Sequence, residues 1–220
     1  MGSIMGGGFE NVFHTSVATL YSNLVTRPTG KAVRFAVEQQ IEDSPGPCLS
    51  VLDFSQVGVI DFSCADEVIA KLLMKYQAAD RPLDAFFVVQ GASEHHRDLI
   101  ESVLQRHNLA LVAVDSEGSK LWGAAPSRLR EVWEHLDRKG RTVVEDLATD
   151  RGVSEPVASS WLRRLAAWRL AVAEGQESYA SLGSALASPP YELDEADGLR
   201  AAERDLDGYD ATGGEPTIVS

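Results

Sequence analysis

Ser50-Val-Leu-Asp-Phe-Ser-Gln-Val-Gly-Val-Ile-Asp-Phe-Ser-Cys-Ala-Asp-Glu-Val-Ile-Ala-Lys-Leu-Leu-Met-Lys-Tyr76 is the stretch on which the fold turns. Val51-Leu52-Asp53-Phe54 is a short apolar run and reads as a buried strand. Ser55 to Gly58 form a polar step, and Val59-Ile60 return to the interior. After Asp61-Phe62-Ser63 the period changes. Ala65, Val68, Ile69, Leu72, Leu73 and Tyr76 recur at three- and four-residue spacing, which predicts a helix with Asp66, Glu67, Lys71 and Lys75 on its other side. Ser63 is placed to cap that helix, with Asp66 at a capping-box-like position. The unit is strand, loop, helix, and it presents Asp61, Phe62 and Ser63 at the positive end of the helix.

These residues resemble the STAS family, the anti-sigma-factor antagonist and sulfate-transporter domain. Leu52-Asp53-Phe54 matches the family's first strand, and Ile60-Asp61 its helix-start motif I-D-S-S-G. The phosphorylated serine of the family falls on Phe62, and its glycine on Cys64, so only Ser63 keeps a hydroxyl. The resemblance covers roughly residues 10–120. It implies a mixed sheet covered on one side by helices and a protein partner held at Asp61, Phe62 and Ser63. Because an aromatic replaces the phosphoserine, the expected role is docking, with Phe62 as an exposed anchor. Asp61 with Ser63 reads either as an anion or phosphorylation site or as a capped helix start.

Outward from this unit the chain alternates. The expected order is β-β-α-β-α-β-α-β, an α/β fold. Val17 to Val25 is the better of two early strands, Thr29 caps a helix to about Ile41, and Leu83 to Val89 is a buried strand. Ser93 caps a helix with Leu99, Ile100, Val103 and Leu104 inside, and Leu109 to Val114 is a final strand. His95 and His96 are expected on an exposed helix face. Residues 1–9 read as a flexible leader and 10–121 as the STAS-like domain.

The pattern becomes helical after Trp122-Gly-Ala-Ala-Pro126. Leu129, Val132, Trp133 and Leu136 form one inner face, Thr142-Val-Val-Glu145 reads as a capping box, and Ser154-Glu-Pro156 opens a longer helix. Arg169–Ala173 and Glu177–Ser181 read as a small hairpin. Residues 126–183 resemble the winged helix-turn-helix family, with Leu162, Leu165 and Leu170 at its core leucine positions. Where that family has a glycine before the last leucine, this chain has Arg169. The resemblance implies a nucleic-acid-binding face of Ser159, Ser160, Arg163 and Arg164, turned toward a major groove of double-stranded DNA. A protein surface is equally open as the target of this face. Residues 184–220 read as an acidic disordered tail.

Hydrophobic residues make up 44% and charged residues 24% of the chain, the composition of a globular protein. The formal charge is −13, which argues against non-specific nucleic-acid binding by the whole molecule. That charge is uneven: residues 126–183 carry nine basic and nine acidic residues, and residues 184–220 carry two and nine. No run reaches the length of a membrane span, no signal peptide is visible, and a cytoplasmic location is expected. Cys48 and Cys64 read as small buried residues. No metal site, cofactor motif or catalytic constellation emerges, so the expectation is a non-enzymatic regulator that joins a STAS-like partner-binding domain to a winged helix for transcription regulation. The alternatives are an interaction adaptor whose winged helix docks protein, and a sensor of a nucleotide or other small ligand. A homodimer is left open.

Overall fold

The computed structural model describes Phe9 and residues 11–187, which form one compact unit. The leader's residues 1–8 and the tail's residues 188–220 lie outside the described residues.

Five strands make a mixed sheet. They are β1 (Asn11–Ser16), β3 (Cys48–Asp53), β5 (Ala85–Gln90), β6 (Ala110–Asp115) and β7 (Gly118–Gly123), in that spatial order. The first four run parallel, and β7 returns antiparallel along β6, with Leu111 opposite Trp122. The crossovers carry α2 (Arg27–Glu42), a helix in three pieces, and α5 (Glu94–Arg106). Those pieces are α3 (Phe62–Ala65), a π-wound turn (Asp66–Ala70) and α4 (Lys71–Gln77). Each step advances to the neighbouring strand in one direction, so right-handed crossovers put all the helices on one face. Val33, Val37, Ile41, Val68, Leu72, Ile100 and Leu104 fill that layer together with Leu52, Phe87 and Leu111 from the sheet.

The opposite face of the sheet is also covered. Leu49, Val51, Phe86, Val88, Ala110 and Val112 share a core with Leu129, Val132, Trp133, Leu136, Leu162 and Leu165. These come from α6 (Ser127–Lys139) and α8 (Glu155–Ala167), which pack with α7 (Val144–Arg151) and a three-stranded antiparallel sheet. Its order is β8 (Arg141–Val143), β10 (Ser178–Ser181), β9 (Ala171–Glu174). A sheet buried on both sides explains why β3 and β5 are near-continuous apolar runs rather than alternating ones.

Several expectations change. The early strand is β1, whose six residues pair in register with β3, while Val17–Leu20 is a short helix (α1) and only Asn23–Leu24 (β2) is extended beyond it. Val17 is fully buried there, and Thr19 Oγ1 closes the turn on the Ser16 carbonyl at 2.7 Å. Thr26, not Thr29, caps α2. Phe9, read as leader, packs its ring 5.1 Å from that of Phe86. Thr142 is buried in β8 opposite Tyr179 instead of opening a capping box. Strand β7 went unread, and residues 184–187 belong to α9 (Leu182–Ala187), with Ala185 buried.

Candidate functional site

The loop after β3 returns as β4 (Val59–Ile60), which pairs in parallel with β2. Gly58 N donates to Ser22 O at 2.9 Å and Asp61 N to Leu24 O at 2.8 Å, so a two-stranded ribbon spans roughly 21–25 and 58–61. Its pairs sort cleanly by face. Leu24 and Ile60 are opposite each other and buried; Asn23 and Val59 are opposite each other and exposed. A period of two puts Tyr21 and Val25 on the outward side with them. Tyr21 is 46% exposed, Val25 51% and Val59 47%, and Leu20 beside them is 39% exposed. Four large apolar side chains therefore meet water on one small element, and its second strand leads directly into the helix start.

At that start Asp61 is the cap, not Ser63. Its Oδ1 accepts from Cys64 N at 2.7 Å and from Ser63 Oγ at 2.9 Å. Burial pushes the Asp61 carboxyl up, but these hydrogen bonds outweigh it and hold the group below its ordinary value. Ser63 thus spends its hydroxyl on the cap. Phe62 is half-buried against the helix-side core, with the Arg106 guanidinium 5.5 Å from its ring centroid. It is a core-edge residue under a cation, and the exposed apolar groups are on the ribbon instead. Cys64 is fully buried, donates to Thr26 O at 2.8 Å, and has its thiol pushed up to about 11 by burial and then by Asp61. Helix α2 approaches closely because residue 30 is glycine: a Cβ there would lie 2.9 Å from Cys64 Cα.

Asp66 and Glu67, expected on the wet side, are buried in the π-wound turn. Arg27 Nη1 reaches Glu67 Oε1 at 2.9 Å and Asp66 Oδ2 at 3.3 Å, and His107 Nε2 meets Asp66 Oδ1 at 2.7 Å. Lys71 also pairs with Glu67. Burial alone would raise the Glu67 carboxyl, yet its lysine and arginine partners keep it below the ordinary range. The extra residue of a π turn swings both carboxylates inward, where they tie α2 and α5 to the helix start. His96 also departs from expectation: it is buried and its Nδ1 accepts from Ser93 N at 3.2 Å, completing a capping box.

On α8, Arg163 and Arg164 are exposed and, among the described residues, neither forms a salt bridge. Ser160 is exposed with its hydroxyl on Val157 O at 2.7 Å, and Ser159 is half-buried beneath Arg163. Val157 beside them is 39% exposed. The neighbouring hairpin carries Glu174, paired with Arg141 at 2.7 Å, and Glu177. The structure thus puts Asp61, Phe62 and Ser63 together at one helix start, and the four α8 residues on a separate face.

One residue joins the two layers. Arg169 follows α8 with φ +59, a left-handed conformation that favours glycine. Its Nη2 lies 2.6 Å from Asp84 Oδ1, its Nε donates to Tyr76 O at 3.2 Å, and its guanidinium is 5.0 Å from the Phe86 ring centroid. Gln77 Nε2 donates to Trp168 O at 3.0 Å alongside. Arg81 completes a pair of cations on Asp84, whose carboxyl burial would raise and these arginines instead depress.

Against known proteins, the sequence matches no family model and no curated protein. Among the described residues there is no His, Cys, Asp and Glu grouping suited to a metal, and no helix is long and apolar enough to cross a membrane.

Proposed function

We propose that this chain is a non-enzymatic regulatory protein that captures a protein partner on the ribbon beside Asp61 and couples that event to its C-terminal helices. The α/β layer is read as STAS-like and residues 126–183 as a winged helix serving transcription regulation. One observation carries the reading: Tyr21, Val25 and Val59 stand outward together on a paired ribbon, where a monomer gains nothing by exposing them. The polar cap at Asp61 and the clamped π turn fix the ribbon's base, so the surface is preorganised and binding loses little ordering entropy. Arg169 supplies the mechanical link, because it is held by Asp84 and Tyr76 on one layer and by its own chain on the other.

The test is partner capture by the intact chain, followed by mass spectrometry, with Val59→Asp and Val25→Asp as comparisons. A partner retained by the wild type and lost from both variants, with unchanged melting, supports the reading. A partner retained equally by all three contradicts it.

A second reading has its own support. Arg163 and Arg164, exposed and in no salt bridge among the described residues, suit a phosphate backbone, whereas Glu174 and Glu177 on the hairpin and exposed Val157 suit a protein surface. Binding to duplex DNA that weakens in Arg163→Ala and falls with salt favours the former. Salt-independent binding to a protein favours the adaptor.

A further inference from the structure

The parallel strands β3, β5 and β6 end side by side at Asp53, Gln90 and Asp115, with Asp53 directly opposite Gln90 in the register. Beyond these ends lies a cleft of about 420 Å³. The carboxyl end of a parallel sheet is where α/β folds commonly hold small molecules, and the volume falls within the usual range for such sites. Gly91 shapes the cleft. It has φ +67, and a Cβ there would stand 2.8 Å from both Asp53 Oδ1 and Ser55 N. Beside it, Ser55 N donates to Asp53 Oδ1 at 2.8 Å.

The cleft gathers polar groups that the fold does not use. Among the described residues, Asp53 Oδ2, the Gln90 amide and the Ser55 and Ser116 hydroxyls have no hydrogen-bond partner, although all four residues line the cleft. Trp122 also lines it, is only 7% exposed, and its Nε1 is buried without an acceptor. That nitrogen is closed off from the cleft, so Trp122 meets it as an apolar wall. Asp115 is different, since Glu117 N at 2.8 Å and Lys120 Nζ at 2.7 Å occupy its two oxygens.

The chemistry of these groups selects a ligand class. The lining contains two carboxylates and no lysine, arginine or histidine, so a phosphate or other anion is repelled. A simple ammonium would satisfy Asp53 but offers no acceptor to the Gln90 amide N–H. A hydroxyl both donates and accepts, which matches a carboxylate, an amide and two serines at once. We propose that this cleft binds a neutral polyhydroxylated ring of the sugar or cyclitol class, with Asp53 and Gln90 as hydrogen-bond partners and Trp122 as its apolar wall. The site is distinct from the docking ribbon and does not depend on it.

The experiment is titration of the full ¹⁵N-labelled chain, following the four tryptophan indole N–H resonances, with Trp122→Phe used to assign the one from Trp122. The probes are D-glucose, D-ribose and myo-inositol, with an inositol phosphate and benzylamine as the anionic and cationic arms. A saturable shift of the Trp122 resonance is expected with at least one neutral probe. Affinity should drop about tenfold or more in Asp53→Asn, the loss of a hydrogen bond to a charged acceptor. Gln90→Ala gives the same comparison if Asp53→Asn fails to fold. The proposal is overturned if no neutral probe shifts the resonance, if the variants bind undiminished, or if the charged probes bind as tightly as the neutral ones.

Discussion

Replacing Arg169 by glycine and by alanine separates two effects that the native residue combines. At φ +59 any residue with a Cβ is strained by about 1–2 kcal/mol, and glycine is not. Against this, the guanidinium holds Asp84 at 2.6 Å and Tyr76 O at 3.2 Å from a position only 9% exposed. Removing one member of a buried pair costs about 3–5 kcal/mol. Here the cost is discounted, because Asp84 is 37% exposed and keeps Arg81 at 2.6 Å. A loss of about 2–3 kcal/mol for the contacts is the reasonable magnitude. Arg169→Ala keeps the strain and loses the contacts, so it bears that loss in full. Arg169→Gly loses the same contacts but sheds the strain, and should be about 1 kcal/mol more stable than the alanine variant. Urea unfolding with linear extrapolation measures both, and a cycle with Asp84→Ala isolates the pair. An alanine variant as stable as the wild type, or more stable than the glycine variant, refutes the reasoning.

Acidification should destabilise the fold through His96. Burial, with a smaller contribution from the charge of His95, holds its folded pKa below the ordinary histidine value, against a hydrogen bond at the Gly58 backbone that favours the charged form. The unfolded chain then binds the extra proton, so stability is full above about pH 6.5 and falls as pH drops below it. Melting followed from pH 7.5 to 5 should show this slope, and His96→Gln should flatten it. Arg163→Glu with Arg164→Glu should leave urea stability within about 0.5 kcal/mol, since both side chains are exposed, while reducing any DNA binding measured by anisotropy at low salt. Phe62→Ala should cost about 1–3 kcal/mol by urea unfolding, because the ring is packed against the core under Arg106; an unchanged midpoint would restore it to the role of a free anchor.

Parts of this molecule are legible because the cause is local. The apolar runs of β3 and β5 and the face of the helix from Ala65 to Tyr76 need only period and composition. What was illegible depends on partners distant in sequence. Asp66 and Glu67 look solvated until Arg27 and Arg34 arrive from α2 and a π turn rotates them inward. Thr142 and Glu145 have the spacing of a capping box, but pairing with Tyr179 claims Thr142 for a strand. Asp61-Phe62-Ser63 opens the helix where the change of period puts it, but the aspartate caps instead of the serine, the serine supports it, and the phenylalanine packs at the core edge. The exposed groups at 21, 25 and 59 carried no signal, because single apolar residues in short loops show no periodicity until the ribbon pairs them. Arg169 was visible only as a departure from a glycine, and Asp84 gives it its role.

Hydrogen exchange of the intact chain, alone and with its captured partner, tests the docking surface most directly. The account predicts partner-dependent protection at residues 20–25 and 57–63, absent when Val59→Asp is mixed with the same partner. Protection confined to residues 155–177, or unchanged exchange along the ribbon in the bound state, would contradict it.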